Sequence, residues 1–179
     1  LWLEEVESPR ALAWVNRENA RSLAQLQNDA RYQPLLADAT RIATSQDRLP
    51  LGQVRGGFYY NFWQDETHVR GLWRRSPVAD YARGAPRWET LLDLDARAAA
   101  ETANWVWKGV SCSPSLQRCL VALSDGGRDA ATWREFDLAS RRFVADGFVL
   151  PAAKSSVEWE DDDTLIVATD WGEGSLSSS

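Results

Sequence analysis

Gly57-Phe58-Tyr59-Tyr60-Asn61-Phe62-Trp63-Gln64-Asp65 is a run of aromatic residues that ends in turn formers. Aromatic side chains suit the pleated, half-buried surface of a strand. Gln64-Asp65-Glu66-Thr67 reads as a turn into a second strand-like segment, His68 to Arg75. Short segments of the same kind continue downstream: Trp88 to Leu94, Trp105 to Val110, Arg118 to Leu123, Ala131 to Leu138, Arg142 to Val144, Val157 to Trp159 and Thr164 to Thr169. Asp125-Gly126-Gly127 and Asp161-Asp162-Asp163 fall between segments, where hairpin turns belong.

These segments repeat. Asp65 is followed eight residues later by Trp73-Arg74, and Asp125 eight residues later by Trp133-Arg134. Leu165-Ile166-Val167-Ala168-Thr169-Asp170 starts the same phrase again. The recurring Asp65, Asp125 and Asp170 are spaced by 60 and 45 residues, a length that fits the four-stranded blade of a β-propeller. An antiparallel sandwich is the alternative, but it does not demand similar units. Propellers typically have at least four blades, and residues 51–179 hold about two and the start of another. The expectation is therefore an incomplete propeller, unable to close its ring alone.

Residues 1–50 read differently. Ser8-Pro9 is a helix start, with Ser as N-cap and Pro at the first helical position. Leu12, Val15, Leu23 and Leu26 recur at helical spacing, and Trp14 points off that stripe. A second helix is expected from Tyr32 to Thr44, with Leu35, Ala39 and Ile42 on one face. Two such helices cannot bury both apolar faces against each other and need something else to lie on. The fold class is α+β: a helical hairpin, then an antiparallel β-meander.

Composition narrows the function. The chain has 179 residues, 44% of them hydrophobic and 26% charged, which supports a core and excludes a disordered or collagen-like chain. The net charge of −6 argues against a nucleic-acid partner. No apolar stretch approaches the roughly 18–20 residues of a membrane span, so no membrane partner is expected. The first residue is Leu1 and Met is absent, so Leu1 is not a translation start. No signal peptide is visible, and a removed one would leave no trace. The compartment stays open, with cytoplasm preferred to periplasm. Cys112 and Cys119 flank a short Ser/Pro loop that would allow a local disulfide, but two free, partly buried thiols are the expectation.

Three runs resemble the prolyl oligopeptidase family of serine peptidases. Leu1-Trp2-Leu3-Glu4-Glu5-Val6 with the Ala11 to Leu26 helix is similar to the family's opening. Gly57 to Asp65 followed by Arg70-Gly71-Leu72-Trp73-Arg74-Arg75 resembles the first propeller strands of the bacterial branch. Trp105-Val106-Trp107-Lys108-Gly109 and Lys154-Ser155-Ser156-Val157 are similar to its next blades. The resemblance implies an α/β-hydrolase domain with a Ser-Asp-His triad, covered by a seven-bladed propeller that filters out large substrates. It implies that the helices of residues 1–50 dock on that hydrolase domain, that the substrates are short proline-containing peptides, and that no cofactor is needed. It also places Lys154 and Ser155 near the central tunnel, as candidates for lining the substrate channel, although ordinary loop residues are the commoner explanation.

No catalytic residue can be carried over, because no G-x-S-x-G elbow occurs in the sequence. His68 is the one imidazole, and a position just after a hairpin turn suits a solvated strand residue better than a triad member. The acidic run at Asp161-Asp162-Asp163 lacks the spacing of a calcium loop, so no metal is expected. The ten Trp, including the repeat positions Trp73 and Trp133, suit packing between blades better than stacking on sugars or bases. Two functions fit: part of a serine endopeptidase cleaving after proline, or a non-enzymatic propeller-type binding module. Self-association of the isolated chain is expected in either case.

Overall fold

A computed structural model describes residues 1–45 and 47–172. The chain divides into two compact units, Leu1–Gln46 and Asp47–Ser179.

The first unit is a helical pair, α1 (Pro9–Gln27) and α2 (Tyr32–Ala43). The Ser8 hydroxyl accepts a hydrogen bond from the Ala11 amide at 3.2 Å, and Pro9 occupies the first turn, where its missing N–H costs nothing. The turn between the helices is fixed by Asp29, whose carboxylate accepts from the Arg31 amide at 2.9 Å and from its guanidinium at 2.7 Å. That bidentate pairing lowers the Asp29 pKa to about 2. Trp14 meets Trp2 edge to face at 6.3 Å, which gives it a neighbour off the main stripe. Among the described residues of this unit only Ala11 is buried.

The second unit is a series of antiparallel sheets. The first has the order β1 (Gly52–Arg55), β2 (Phe58–Trp63), β3 (Leu72–Pro77), β4 (Glu89–Asp93). The second contains β5 (Trp105–Cys112), β6 (Arg118–Asp125) and β7 (Ala131–Asp137) in sequence order, and both β8 (Arg142–Phe143) and β9 (Val149–Ala153) pair with β7. The third is the hairpin β10 (Ser156–Trp159) and β11 (Leu165–Ala168). Every pairing is between antiparallel strands, so the meander expected from the turn punctuation is present. Two helices were not foreseen: α3 (Val78–Ala82) and α4 (Leu94–Glu101). Asp93 caps α4 by accepting from the Ala96 amide at 2.9 Å.

The core lies between the first two sheets. Tyr60, Trp73, Leu92 and Leu94 from one side meet Val121, Leu123 and Phe136 from the other. Trp107 of β5 ties them together, stacking on Phe62 at 4.8 Å and lying 5.7 Å from Trp73. The third sheet sits beside the second. The Trp159 indole donates to the Ser111 carbonyl at 3.0 Å, and the Ser115 amide donates to Asp162 at 3.0 Å. These contacts join β10 and the turn after it to the end of β5 and the loop that follows it.

The cysteines correct the expectation of free thiols: Cys112 and Cys119 form a disulfide. They are direct cross-strand partners in the β5–β6 hairpin, so the register brings their side chains together. Gly109 marks a bulge in β5, where φ is +145°, a conformation that glycine adopts without a side-chain clash.

Candidate functional site

The three repeated Asp lie at or just beyond the C-terminal ends of β2, β6 and β11, but their surroundings differ. Asp65 is the hub of a tight turn. It accepts from the Thr67 amide at 3.0 Å, the His68 amide at 2.8 Å and the Trp63 indole at 3.0 Å. Burial opposes its charge, yet the donors of Thr67, His68 and Trp63 outweigh burial and hold its carboxyl well below the usual range. Asp125 is exposed and accepts from the Asn104 amide at 3.2 Å. Asp170 accepts from the Gly172 amide at 2.9 Å.

The two Trp of the repeat hold matching register. Trp73 faces Phe62, three residues before Asp65, and Trp133 faces Ala122, three residues before Asp125. Trp73 is 2% exposed, packed on Tyr60, Trp107 and Phe136. Trp133 is half-buried on the face of the second sheet opposite to Val121 and Leu123, and its buried indole N–H has no acceptor among the described residues. Trp73 reaches across to Trp107 and Phe136 of the second sheet.

Lys154 and Ser155 occupy the bend between β9 and β10. Lys154 is exposed, with its ammonium 3.9 Å from the Asp129 carboxylate. The Ser155 and Thr169 hydroxyls are 2.7 Å apart. Lys154, Ser155, Thr169 and Asp170 thus gather at one end of the β10–β11 hairpin, while Asp65, Trp73, Asp125 and Trp133 belong to the other two sheets.

His68 has the beginnings of a catalytic pair: its Nδ1 lies 2.9 Å from Asp65 and 3.0 Å from the Thr67 hydroxyl. No serine is hydrogen-bonded to the ring among the described residues, and both partners belong to the turn itself. The cluster caps a loop. Among the described residues no group of three or more His, Cys, Asp or Glu is arranged to hold a metal ion. No helix among the described residues is long and apolar enough to cross a membrane.

A groove of about 580 Å³ lies between the first two sheets, walled by Phe62, Trp105 and Trp107. Its polar groups are engaged with one another. The Asp95 carboxylate accepts from the amides of Arg70 at 3.1 Å and Gly71 at 3.2 Å, and the Arg70 guanidinium donates to the Trp105 carbonyl at 2.9 Å. Gly71 has φ +106°, and a Cβ there would lie 2.4 Å from the Phe62 ring, so the close approach requires glycine. These contacts fasten the sheets together and leave no nucleophile or general base poised in the groove. Sequence reasoning did not single out Arg70 and Asp95; their separation by 25 residues hides the pairing.

The arrangement matches known proteins along its length. Residues 1–179 match the family described as prolyl oligopeptidase, N-terminal beta-propeller domain. An uncharacterized peptidase of Sinorhizobium fredii is 44% identical over 99% of this chain and 25% of its own length. An uncharacterized peptidase of Rickettsia prowazekii is 32% identical over 92% of this chain and 24% of its own. The solved structure of a post-proline cleaving enzyme from Rickettsia typhi superposes with a TM-score of 0.86 at 31% identity, covering 97% of this chain and 26% of that one. The chain spans about a quarter of the length of the curated relatives it matches. Its helices followed by antiparallel sheets are those of the N-terminal propeller region, and the chain belongs to the prolyl oligopeptidase family.

Proposed function

We propose that the chain is the opening quarter of a serine endopeptidase that cleaves short peptides after proline. In this reading the triad Ser, Asp and His lie in an α/β-hydrolase domain of the same longer protein, where the Ser would attack the carbonyl and the His would move its proton. Residues 1–50 dock on that domain. Residues 51–179 form the first blades of an incomplete propeller that the rest of the longer protein completes and that limits access to the triad. Asp65, Trp73, Asp125, Trp133 and Asp170 are the repeat positions of successive blades. Lys154 and Ser155, at the start of the first strand of the third sheet, line the channel through which a peptide passes.

The observation that carries this reading is the likeness over 97% of the chain, at 31% identity, to a post-proline cleaving enzyme. The exposed apolar stripes of α1 and α2 support the docking role, because a helix that leaves such a stripe in water gains little from folding.

The test compares two proteins on a chromogenic Gly-Pro substrate. The 179-residue chain should give only the hydrolysis of buffer. A longer protein carrying this region should turn the substrate over, and a serine-directed fluorophosphonate should abolish that activity. Turnover by the chain alone that disappears in His68→Ala, or an inert and unlabelled longer protein, would overturn the proposal.

A further inference from the structure

A second pocket, of about 520 Å³, is lined by residues of β4, α4, β7, β8 and β9. Its floor is apolar, formed by Phe136 and Phe143. Its walls are arginine: Arg97 from α4, Arg134 from β7, and Arg141 from the turn between β7 and β8, with Arg142 at the rim. The Arg97 and Arg134 guanidiniums lie over the Phe143 ring, 4.7 and 4.3 Å from its centre. A chain of net charge −6 has thus gathered cations at one place, from segments that are distant in sequence.

The acidic partners are too few for these cations. Arg97 and Arg134 share one carboxylate, Glu101, with Arg134 at 2.9 Å. Arg75 and Arg141 share another, Glu89, at 2.7 and 3.2 Å. Arg142 has no ion pair among the described residues. Asp137, opposite Arg142 in register, is engaged by Arg118 at 3.2 Å and by the Ser140 amide at 2.6 Å. Four guanidiniums, three of them in the pocket, therefore share two carboxylates, and Arg142 uses neither. Beyond this, the Arg97 Nε is buried and donates to nothing among the described residues. A buried donor without an acceptor is rare and calls for an explanation.

We propose that this pocket binds a phosphoryl anion: orthophosphate, pyrophosphate or the phosphate group of a small metabolite. Guanidinium forks present paired N–H donors that match phosphate oxygens, and converging forks on an apolar floor hold a dianion that water would otherwise solvate. The volume falls within the range of small-molecule sites. The site is separate from the groove beside Trp105 and from the bend at Lys154 and Ser155. It links the outer strands of the first two sheets, so an occupant would also hold those sheets together.

Calorimetric titration of the full chain with pyrophosphate and with orthophosphate, at ionic strength held constant with sodium chloride, tests this. Pyrophosphate should bind saturably with a Kd at or below about 1 mM. Arg141→Gln changes an exposed turn residue and should weaken binding by about tenfold, the value of one lost charge-assisted contact. Arg134→Gln should do the same. Arg128→Gln, on an exposed loop elsewhere, controls for the loss of general positive charge and should bind as the parent does. Melting curves establish that each variant is folded. Absence of saturable binding would overturn the proposal, as would equal weakening by Arg128→Gln. Equal binding of citrate would overturn the assignment to a phosphoryl group.

Discussion

Leu26 in α1 leaves 61% of its surface in water, whereas Leu120 in β6 leaves none. The same contrast runs through the two units. In the helical pair Leu12, Leu23, Leu35 and Ile42 are all exposed, and Ala11 is the one buried residue described. In the sheets, Trp73, Leu94, Val121, Leu123 and Phe136 close a continuous core. Both units carry apolar residues at the spacing their secondary structure requires. The first two sheets bury theirs against each other, because each sheet presents a whole face to the next. In the helical pair the apolar stripes themselves stay exposed. Periodicity states which way a side chain points; it does not state that anything is there to receive it.

Substitutions in the two units should therefore differ sharply. The largest effect is expected for Trp73→Ala, which opens a cavity among Tyr60, Trp107 and Phe136 and should cost about 3–5 kcal/mol in urea unfolding followed by far-ultraviolet dichroism. A loss below about 1 kcal/mol would mean that the core between the sheets is not what holds them.

Removing the Cys112–Cys119 bond by a paired Cys→Ser change should come next. The bridge closes a loop of only seven residues' separation, and the entropic gain for so short a loop is about 2.5 kcal/mol. The same denaturation experiment, with and without reductant on the parent, measures it. Insensitivity to reductant would place the stability of the β5–β6 hairpin in its ladder and packing alone.

Acid should produce a more gradual loss, again in the sheets. At Glu101, burial favours the neutral form, but hydrogen bonds from Arg134 and Trp105 prevail and lower its pKa; Asp65 behaves likewise through its turn donors. A carboxyl whose folded pKa is depressed contributes stability above its unfolded value, near 4, and that contribution is lost as pH falls toward the folded value. Melting temperature should be flat from pH 7 to 5 and decline below about 4. Asp65→Asn should flatten that acid limb. A decline complete by pH 5 would assign it to other groups.

The smallest effect on unfolding is expected in the helices: Leu26→Ala should change stability by less than about 0.5 kcal/mol. The exposed stripe should instead show itself in association. Sedimentation across a concentration series should give oligomers of the parent at high concentration, and Leu23→Glu with Leu26→Glu should reduce them. A monodisperse monomer at every concentration would show that the exposed stripe has no tendency to pair.

Much of this organisation was legible in the order of residues. The Phe58 to Trp63 run, the turn at Asp65 and the matched Trp73 and Trp133 positions identify hairpins because aromatic and turn residues act locally. The Ser8-Pro9 start of α1 is equally local. What was hidden depends on register or on distance. The free-thiol expectation failed because spacing alone does not reveal that Cys112 and Cys119 face each other across a ladder. Helix α4 was missed because its eight residues sit between strands, although Asp93 before an alanine-rich run is a capping signal. β9 was missed because Pro151 interrupts its strand pattern. The Asp95 cradle joins residues 24 and 25 positions apart, the arginine pocket brings Arg97 to Arg134 across a longer separation, and no local pattern announces either.

The helical pair exposes its apolar residues, and the sheets bury theirs. Hydrogen–deuterium exchange of the 179-residue chain, resolved by peptide, reads both at once. Amides of Pro9–Gln27 and Tyr32–Ala43 should exchange orders of magnitude faster than those of β5, β6 and β7, because helices without tertiary burial open readily. Equal, strong protection of both units in a monomeric sample would contradict it, for then the helices would be stable without any partner.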